Sequence, residues 1–402
     1  MVDEKEEMGL DRREFLKATG LAGVGLAGYF AGSLIGWATT ETPKVDIAAS
    51  LAAVKSEPFA YPKLPDSKVQ APESGCLVGF RKPYIVLGGE IEELGEKKRL
   101  QELYKSAKNL DEFTAISIPF RQKTEPGLIK NINTILSDYQ QGLLNKPKIF
   151  VLMDTPRMYG PFRHAEGETL AAQGIIPFIY AGIGLMTRPE FSLKLEDIVN
   201  SKHDKYFINF AQGSADFGKK YGGFFITTME ENNADWNYWG LNPKFIPAWR
   251  HIWKIFEDQG ANQYATWIWE IYCPEGAKGR TVHPDQMYPG DKYVDWIGLS
   301  AFSRRHYGGG TFGFLAGKTY EEMFKNHRNK PIMQSEFGVT NDGAQPRWLL
   351  DAYKTIKSMP AMKAAIFWDH EEGKERDDHT LSKKSLQAMK DIFKDSYWIM
   401  TK

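Results

Sequence analysis

The sequence predicts a (β/α)8 TIM barrel, and three observations favour that fold. The chain has 402 residues, which is long enough for one large barrel with a sizeable core. From residue 75 onward, eight short apolar runs alternate with amphipathic helical patterns. Most of these runs are almost continuously apolar, as in parallel strands that are buried on both faces. Strands and helices that alternate in this way are typical of a barrel.

The eight predicted strands follow one another along the chain, separated by the helical segments. In order they are GCLVGF from Gly75, KIFVLMD from Lys148, IIPFIYAG from Ile175, GGFFITTM from Gly222, YATWIWE from Tyr264, VDWIGLSAF from Val294, KPIMQSEF from Lys330 and AAIFWDH from Ala364. Helical spacing of apolar residues is clearest over residues 245–256 and recurs in two later segments. The apolar faces are Phe245, Trp249, Ile252, Trp253, Phe256; Leu349, Ala352, Tyr353, Ile356; and Leu386, Met389, Ile392, Phe393.

Two further runs also look like strands, which gives more candidates than a barrel has positions. They are YIVLGG from Tyr84 and TAISIPF from Thr114. We interpret residues 81–124 as an insertion after the first strand, within a single catalytic barrel over residues 75–402. A doubly wound open sheet is the competing fold, but no GxGxxG fingerprint follows any of the strands.

The N-terminal segment has the pattern of a twin-arginine export signal. Residues 11–20 read DRREFLKATG, and a Gly- and Ala-rich apolar run follows. We expect residues 1–38 to be a signal peptide cleaved after Ala38, or an uncleaved membrane anchor, because the run is just long enough to span. Residues 39–74 contain five prolines and are expected to form an irregular linker. The protein is therefore expected to be exported across the cytoplasmic membrane by the twin-arginine machinery.

Composition excludes several classes of protein. Lys+Arg and Asp+Glu both number 51, so no basic field exists to attract nucleic acid. The two cysteines, Cys76 and Cys273, cannot make a disulfide framework or a thiolate zinc site. No ligand cluster at metal spacing stands out, so neither a metal nor a cofactor is expected. Ten of the 11 tryptophans lie between Trp236 and Trp398, where they either fill the core or stack against sugar rings.

Acidic residues at strand ends predict the chemistry. In barrels of this kind the active site lies at the carboxyl-terminal ends of the strands. The fourth predicted strand ends on Glu230 and Glu231, and the seventh ends on Glu336. Two carboxyl groups in one barrel mouth suit glycoside hydrolysis, in which one protonates the leaving oxygen and the other attacks carbon or activates water.

Residues 75–396 resemble glycoside hydrolase family 26, in the large clan of (β/α)8 retaining glycosidases. Three segments are similar to family motifs: AWRHIWKIFEDQGANQYATWIW, YPGDKYVDWIGLSAF and PIMQSEFG. The resemblance implies that Glu336 is the nucleophile and Glu231 the proton donor of a double-displacement mechanism. It also implies a secreted endo-acting hydrolase that cleaves a β-linked polysaccharide, β-1,4-mannan first and β-glucan, xylan or a self-made exopolysaccharide as alternatives.

Three positions depart from the family pattern, which usually reads Arg-x-x-His-Glu-x-Asn around the acid. Thr227 stands at the position of the arginine, and Glu230 stands at that of the histidine. Phe302 aligns with a tyrosine that commonly contacts the nucleophile. We interpret Glu230 as a group that keeps Glu231 protonated or that binds a cationic or amino sugar.

The same resemblance names aromatic residues for substrate binding. Trp368, at the end of the eighth strand, is the expected platform under the sugar at the cleavage point. Further candidates for contact with substrate are Trp236, Trp239, Trp269, His370, Glu230 and Phe302. Two rival functions remain open: a barrel that binds polysaccharide without cleaving it, and a transglycosylase that remodels surface polysaccharide.

Overall fold

The computed structural model describes residues 61–82, 110–152, 162, 164–183, 193–276, 279–304, 309–370 and 378–401. The chain divides into two compact units, Met1–Val45 and Asp46–Lys402, and every described residue belongs to the second. The predicted export signal lies outside the described residues, as do YIVLGG and most of the linker.

The predicted barrel is confirmed. Eight parallel strands close on themselves, because the first strand pairs with both the second and the eighth. A short ninth strand pairs in parallel with the beginning of the first, at Cys76 and Leu77. The strands are β1 Cys76–Arg81, β2 Ile149–Leu152, β3 Ile176–Tyr180, β4 Phe224–Thr227, β5 Ala265–Tyr272, β6 Trp296–Ser303, β7 Ile332–Val339, β8 Met362–Trp368 and β9 Trp398–Ile399.

Helices follow the strands and form the outer layer. They are α1 Leu110–Leu143, α2 His164–Ala171, α3 Leu195–Val199, α4 Asp204–Tyr221, α5 Phe245–Asp258, α6 Phe312–Asn326, α7 Gln345–Lys357 and α8 Lys383–Ile392. The apolar face predicted for residues 245–256 packs on β5: the rings of Trp249 and Phe256 meet that of Trp267 edge-on, with centroids 5.5 and 5.0 Å away. Short single-turn 3-10 helices occupy some of the connections.

The run TAISIPF, which looks like a strand, lies inside helix α1. A seven-residue apolar run has the same appearance in a strand and in one face of a helix, so periodicity alone does not separate the two. The helix belongs to the connection between β1 and β2, the region interpreted as an insertion, and Arg81 is the last residue of β1.

Side-chain alternation along the strands divides the interior into two cores. Inward-facing residues fill the barrel, among them Phe178, Phe225, Ile268 and Trp296, while the residues between them face the helices. The ring of Trp296 meets that of Phe225 edge-on at 5.2 Å in the barrel core. The apolar filling stops short of the carboxyl-terminal ends of the strands, which we call the mouth, and polar side chains begin there.

The segment 61–73 contains no helix or strand and packs on the opposite end of the barrel. Lys68 Nζ lies 2.7 Å from Asp295 Oδ2, and the Val69 N–H donates to Thr266 Oγ1 at 2.9 Å. Val69 joins the barrel core with 7% of its surface exposed. This part of the expected linker is thus irregular but closes the base of the barrel.

The cysteines and the lengths of the helices bear on disulfide formation and on membrane spans. Cys76 and Cys273 are both free and buried, in β1 and after β5, so neither forms a disulfide. Among the helices that the structure describes, none is both long enough and apolar enough to cross a membrane.

Candidate active site

The mouth brings both predicted catalytic glutamates together. Glu336 lies on β7 and Ser300 on the neighbouring β6, where the two residues pair in register. The Ser300 hydroxyl donates to Glu231 Oε1 at 2.7 Å. Because Ser300 lies beside Glu336 and also binds Glu231, the two carboxyl groups flank one serine.

Irregular pairing of β6 and β7 sets this arrangement. The register shifts between Leu299 and Ser300, so that Leu299 pairs with Gln334 and Ser300 pairs with Glu336. The Gln334 side chain holds the irregularity by donating to the carbonyl oxygens of both Leu299 and Glu336, each at 2.9 Å. Such irregularities commonly re-aim side chains beside active sites. Here the shift turns Glu336 toward the mouth with 5% of its surface exposed.

Arg81, at the end of β1, forms an ion pair with Glu336. Its guanidinium lies between two aromatic rings, 3.7 Å from the centroid of Trp368 and 4.7 Å from that of Tyr180. Both partners of the ion pair are almost completely buried. An adjacent guanidinium favours the charged form of a carboxylate, which is the form a nucleophile needs.

The paired glutamates leave β4 through a tight backbone turn. Strand β4 ends at Thr227, and Met229 and Glu231 both have positive φ, 54° and 51°. Alternation along a straight strand would send only one of Glu230 and Glu231 into the mouth. The left-handed residues break that alternation, and both carboxyl groups act electrostatically on Glu270 in the barrel.

The loop after β4 is tied to β5 by two asparagines. Asn232 Nδ2 donates to the Glu270 carbonyl at 2.9 Å, and Asn233 exchanges two hydrogen bonds with the Tyr272 backbone at 2.8 and 2.9 Å. The Glu231 N–H also donates to the Glu270 carbonyl, at 3.1 Å. These contacts continue the β4–β5 ladder where β4 has already ended, and they fix the position of Glu231.

Glu231 has the environment expected of a proton donor. Burial raises the pKa of its carboxyl group, and the neighbouring charge of Glu230 adds to the rise. Hydrogen bonds from Ser300 and from Trp236, whose Nε1 donates to Oε2 at 2.6 Å, lower the pKa in part. The balance leaves Glu231 able to hold a proton to higher pH than an ordinary glutamate.

Glu270 is a further carboxyl group in the mouth, and it lies within the predicted strand YATWIWE. It is fully buried, and burial together with the charges of Glu231 and Glu230 raises its pKa to about 8. Tyr180 and Arg81 nearby moderate that rise. Ile268, two residues earlier on β5, belongs to the barrel core, so Glu270 faces the same interior.

The aromatic residues predicted on the loop after the acid take different positions. Trp236 is 41% exposed, binds Glu231 and meets the Tyr272 ring edge-on at 4.7 Å. Trp239 is buried, and its Nε1 donates to the Glu230 carbonyl at 2.7 Å. Trp236 therefore offers a surface at the mouth, whereas Trp239 supports the loop that carries the glutamates.

Trp368 lies in the mouth, and Arg81 covers one of its faces. Its ring meets Phe302 edge-on at 5.6 Å and lies 5.6 Å from His370. Burial and the charge of Arg81 lower the pKa of His370, which favours its neutral form. Phe302 is buried, and the Arg304 guanidinium lies over its ring at 4.7 Å.

Trp269 does not reach the mouth. It is fully buried on the outer side of β5, where its Nε1 donates to Asn232 Oδ1 at 3.2 Å and its ring packs on Tyr288. Most of the tryptophan cluster likewise fills the core, as Trp249, Trp267 and Trp296 show. Within the described residues, no group of three or more His, Cys, Asp or Glu side chains is arranged to hold a metal ion.

Arg81, Ser300, Glu270 and Tyr180 complete the mouth, and sequence reasoning did not find them. A usable signal existed for Glu270, because a carboxyl group inside an almost continuously apolar strand is rarely buried without a role. Arg81 carries the same signal at the end of β1. Nothing in the local sequence marks Ser300, since its role depends on a register shift between two distant strands.

Comparison with solved structures confirms the resemblance to glycoside hydrolase family 26 at the level of the fold. The family 26 domain of an endo-beta-mannanase/endo-beta-glucanase from Prevotella bryantii superposes with a TM-score of 0.51, over 82% of this chain and 91% of that chain, at 13% identity. A family 26 β-mannanase from Bacteroides ovatus gives 0.50, over 66% of this chain and 84% of that one, at 14% identity.

Sequence comparison finds similarity to two characterised enzymes, and no family model matches the chain. Endoglucanase H of Acetivibrio thermocellus is 29% identical over 189 residues, which are 44% of this chain and 20% of that protein. Mannan endo-1,4-beta-mannosidase A of Piromyces sp is 30% identical over 115 residues, or 26% of this chain and 16% of that protein. The similarity thus spans a fifth or less of each relative's own length.

Proposed function

We propose that this protein is an endo-acting glycoside hydrolase that cleaves a β-linked polysaccharide with retention of configuration, outside the cytoplasmic membrane. The observation that carries the proposal is the pair of carboxyl groups on either side of Ser300. Glu336 is held beside a guanidinium, and Glu231 is buried among hydrogen-bond donors and another carboxylate. One environment favours the charged form of its carboxyl group and the other favours the neutral form. Such a pair suits one nucleophile and one acid.

In the first step Glu336 attacks the anomeric carbon as a carboxylate. The glycosidic C–O bond breaks, and Glu231 gives its proton to the departing sugar oxygen, so a covalent glycosyl ester forms on Glu336. Arg81 orients the attacking carboxylate through the ion pair. Ser300 and Trp236 hold the Glu231 carboxyl group in place and accommodate the charge that it gains.

In the second step Glu231, now ionised, removes a proton from water as the water attacks the anomeric carbon. The ester bond to Glu336 breaks, and the sugar leaves with the configuration it had in the polymer. The two hydrogen bonds to Glu231 strengthen in its charged state, so they favour loss of its proton in the first step and oppose the return of the proton in the second.

The relatives support a β-glycan as substrate. Their names refer to an endoglucanase and to a mannan endo-1,4-beta-mannosidase, so mannan and β-glucan come first among neutral polymers. The exposed Trp236 and the edge of Trp368 provide aromatic surface beside the carboxyl groups, as sugar-binding sites commonly do.

A polysaccharide panel tests the proposal. The parent, Glu231→Gln and Glu336→Gln are assayed on neutral and charged β-linked polymers, and the anomeric form of the first product is followed by proton NMR. We expect each substitution to reduce turnover by about 10²-fold or more, since proton transfer alone contributes about 10²–10⁴-fold. The first product should be the β anomer.

Contrary outcomes are clear. Turnover that survives both substitutions, or a first product with inverted configuration, contradicts the mechanism. Selective binding without turnover of any polymer favours the alternative of a polysaccharide-binding barrel. Fractionating the producing cells tests export in the same preparation, because activity confined to the cytoplasm contradicts it.

A further inference from the structure

We propose that residues 279–282, in the connection between β5 and β6, are a positioning element of the active site that holds the indole of Trp236 in contact with the carboxyl group of Glu231. The inference rests on the proposed function and deepens it, because it identifies what regulates the proposed acid. Two connections that follow different strands meet at this point of the mouth.

Residues 279–282 pair in antiparallel fashion with the loop after β4. Ala234 and Thr281 are partners in an isolated bridge. Two main-chain hydrogen bonds flank that bridge: the Val282 N–H to the Asn233 carbonyl at 2.9 Å and the Asp235 N–H to the Arg280 carbonyl at 3.2 Å. Because Trp236 directly follows Asp235, the pairing also fixes where the backbone of Trp236 lies.

Gly279 brings residues 279–282 up to the indole of Trp236. A Cβ added at Gly279 would lie 3.3 and 3.4 Å from Cε3 and Cζ3 of that ring, closer than most Cβ contacts. It would also lie 2.9 Å from Asp235 Oδ1, but that exposed side chain can turn into solvent. The Tyr272 ring meets the indole edge-on at 4.7 Å, and the indole Nε1 donates to Glu231 Oε2. A larger residue at position 279 therefore requires the ring to move.

The connection that carries residues 279–282 is anchored to the barrel on both sides. Before them, the Cys273 N–H donates to the carbonyl of Ser300 on β6 at 2.9 Å. After them, Asp285 Oδ1 lies 2.8 Å from Nε2 of His327, just beyond α6. Ser300 is also the residue whose hydroxyl donates to Glu231. The connection is thus a fixed frame to which the loop with the proposed acid is attached.

The contact with Trp236 acts directly on the proposed acid. Burial raises the pKa of Glu231, and the indole N–H lowers it in part because it favours the charged form. The ring has no room to approach Glu231, since Nε1 and Oε2 are already 2.6 Å apart. A side chain at position 279 must therefore turn the indole away, which weakens this hydrogen bond and raises the pKa of Glu231.

A graded series at position 279 tests the inference. Gly279→Ala and Gly279→Val are assayed for kcat/KM across the pH range on the polymer that the panel identifies, and circular dichroism melting checks folding. We expect the basic limb to move to higher pH, further for valine than for alanine. For valine the movement should be about half a pH unit, a roughly threefold change in proton affinity. Gly343→Val is the matched control, because a Cβ there meets nothing within 4 Å, and its profile should equal that of the parent.

A second background shows whether the effect passes through the indole. In Trp236→Phe the hydrogen bond to Glu231 is absent, so the basic limb already lies at higher pH. Gly279→Val should then add no further movement, as expected for two changes that act on one contact. Three other groups act on Glu231 electrostatically and are unchanged in both backgrounds: Glu230, Glu270 and Arg304. The inference is overturned if valine moves the limb equally in both backgrounds, or if it moves the limb of the single variant to lower pH or not at all.

The indole N–H resonance of Trp236 gives a readout that needs no turnover. NMR of isotope-labelled protein identifies this resonance by its absence in Trp236→Phe, and its chemical shift follows the ionisation of Glu231. We expect the midpoint of that titration to move to higher pH in Gly279→Val. If polymers are cleaved through Glu231 and Glu336 but neither midpoint nor limb moves, the proposed function stands and the inference fails. If the midpoint moves in a protein that hydrolyses no polymer, the proposed function fails and the inference about the contact stands.

Discussion

At the scale of single residues, the mouth gives Glu231 and Glu336 different partners. Arg81 forms an ion pair with Glu336, whereas Glu231 accepts hydrogen bonds from the hydroxyl of Ser300 and the indole N–H of Trp236 and feels the charge of Arg304. The contrast matters because a nucleophile must be ionised and an acid must hold its proton. Each neighbour therefore has a measurable effect on the pH dependence of catalysis.

Ser300→Ala should move the basic limb of the kcat/KM profile to higher pH. The Ser300 hydroxyl favours the charged form of Glu231 and so lowers its pKa, which means that its loss raises the pKa. One hydrogen bond of about 1 kcal/mol also implies a fall in the maximum rate of about fivefold. Initial rates across the pH range measure both effects, and a basic limb that moves to lower pH would contradict the assignment.

The positions of several mouth residues could be predicted from the sequence, and those of others could not. Glu231 and Glu336 stand at strand ends, where position in a barrel indicates function. The contact between Arg81 on β1 and Glu336 on β7 could not be predicted, because the two strands are distant in sequence and only the closed barrel brings their ends together. Trp269 is an aromatic residue on β5 next to Glu270, so it was a reasonable candidate for contact with substrate. Alternation along β5 nevertheless turns its side chain toward the helices.

At the scale of elements, the loop from residue 228 to 241 carries Glu231, the proposed acid, and is shaped by close packing. It contains three residues with positive φ, Met229, Glu231 and Leu241. Gly240 lies so near the Ala234 carbonyl that an added Cβ would collide with backbone. The strand before the loop was predictable from its apolar run, but the turn was not, because its sequence lacks glycine at the left-handed positions.

Gly240→Ala should therefore impair activity more than folding. A backbone collision displaces the loop and costs about 1–3 kcal/mol, and it separates Trp236 and Glu231 from Ser300. We expect kcat/KM to fall by more than about tenfold, as displacements of catalytic groups commonly do. Circular dichroism at the assay temperature confirms that the barrel remains.

The matched control for the loop variant is Gly343→Ala. A Cβ at Gly343 meets nothing within 4 Å, and the residue lies just before α7. Its activity and melting temperature should equal those of the parent. If both alanine variants behave alike, the close approach in the loop has no catalytic consequence.

At the scale of the whole molecule, the barrel tolerates a destabilising carboxyl group in its interior. Glu270 is fully buried, and its pKa rises from its ordinary 4.5 to about 8, chiefly because of that burial. The folded protein thus binds this proton more tightly than the unfolded chain does. The stability that Glu270 contributes through this proton is fully present below its unfolded pKa of 4.5 and is lost as the pH rises through about 8.

Glu270→Gln should raise the melting temperature at neutral and alkaline pH and leave it nearly unchanged near pH 4. Glutamine has almost the same volume and carries no charge, so the pH-dependent penalty, on the order of 1.4 kcal/mol per unit of pKa difference, disappears. Calorimetric unfolding at several pH values measures the gap between variant and parent. If the difference in melting temperature between variant and parent shrinks as the pH rises from about 5 to about 8, the expected direction of the effect is wrong.

Of the three scales, the fold of the whole barrel was the most predictable, because eight apolar runs with helices between them are compatible with few other folds. The strand-like run inside α1 shows the limit of that reasoning, since it matches a strand locally and a helix in context. The closure of the barrel base by residues 61–73 was also out of reach. A proline-rich segment gives no sign of the surface that it will cover.

The indole of Trp236 has an optical consequence. It is exposed, and its N–H binds the carboxyl group whose proton drives the proposed chemistry, while Trp249, Trp267, Trp269 and Trp296 are sealed in the interior. We expect the buried rings to give a steady fluorescence background, and Trp236, together with Trp368 in the mouth, to change emission when Glu231 ionises or a ligand covers the mouth. The molecule thus carries a built-in reporter through which proton transfer and occupancy are followed without a label.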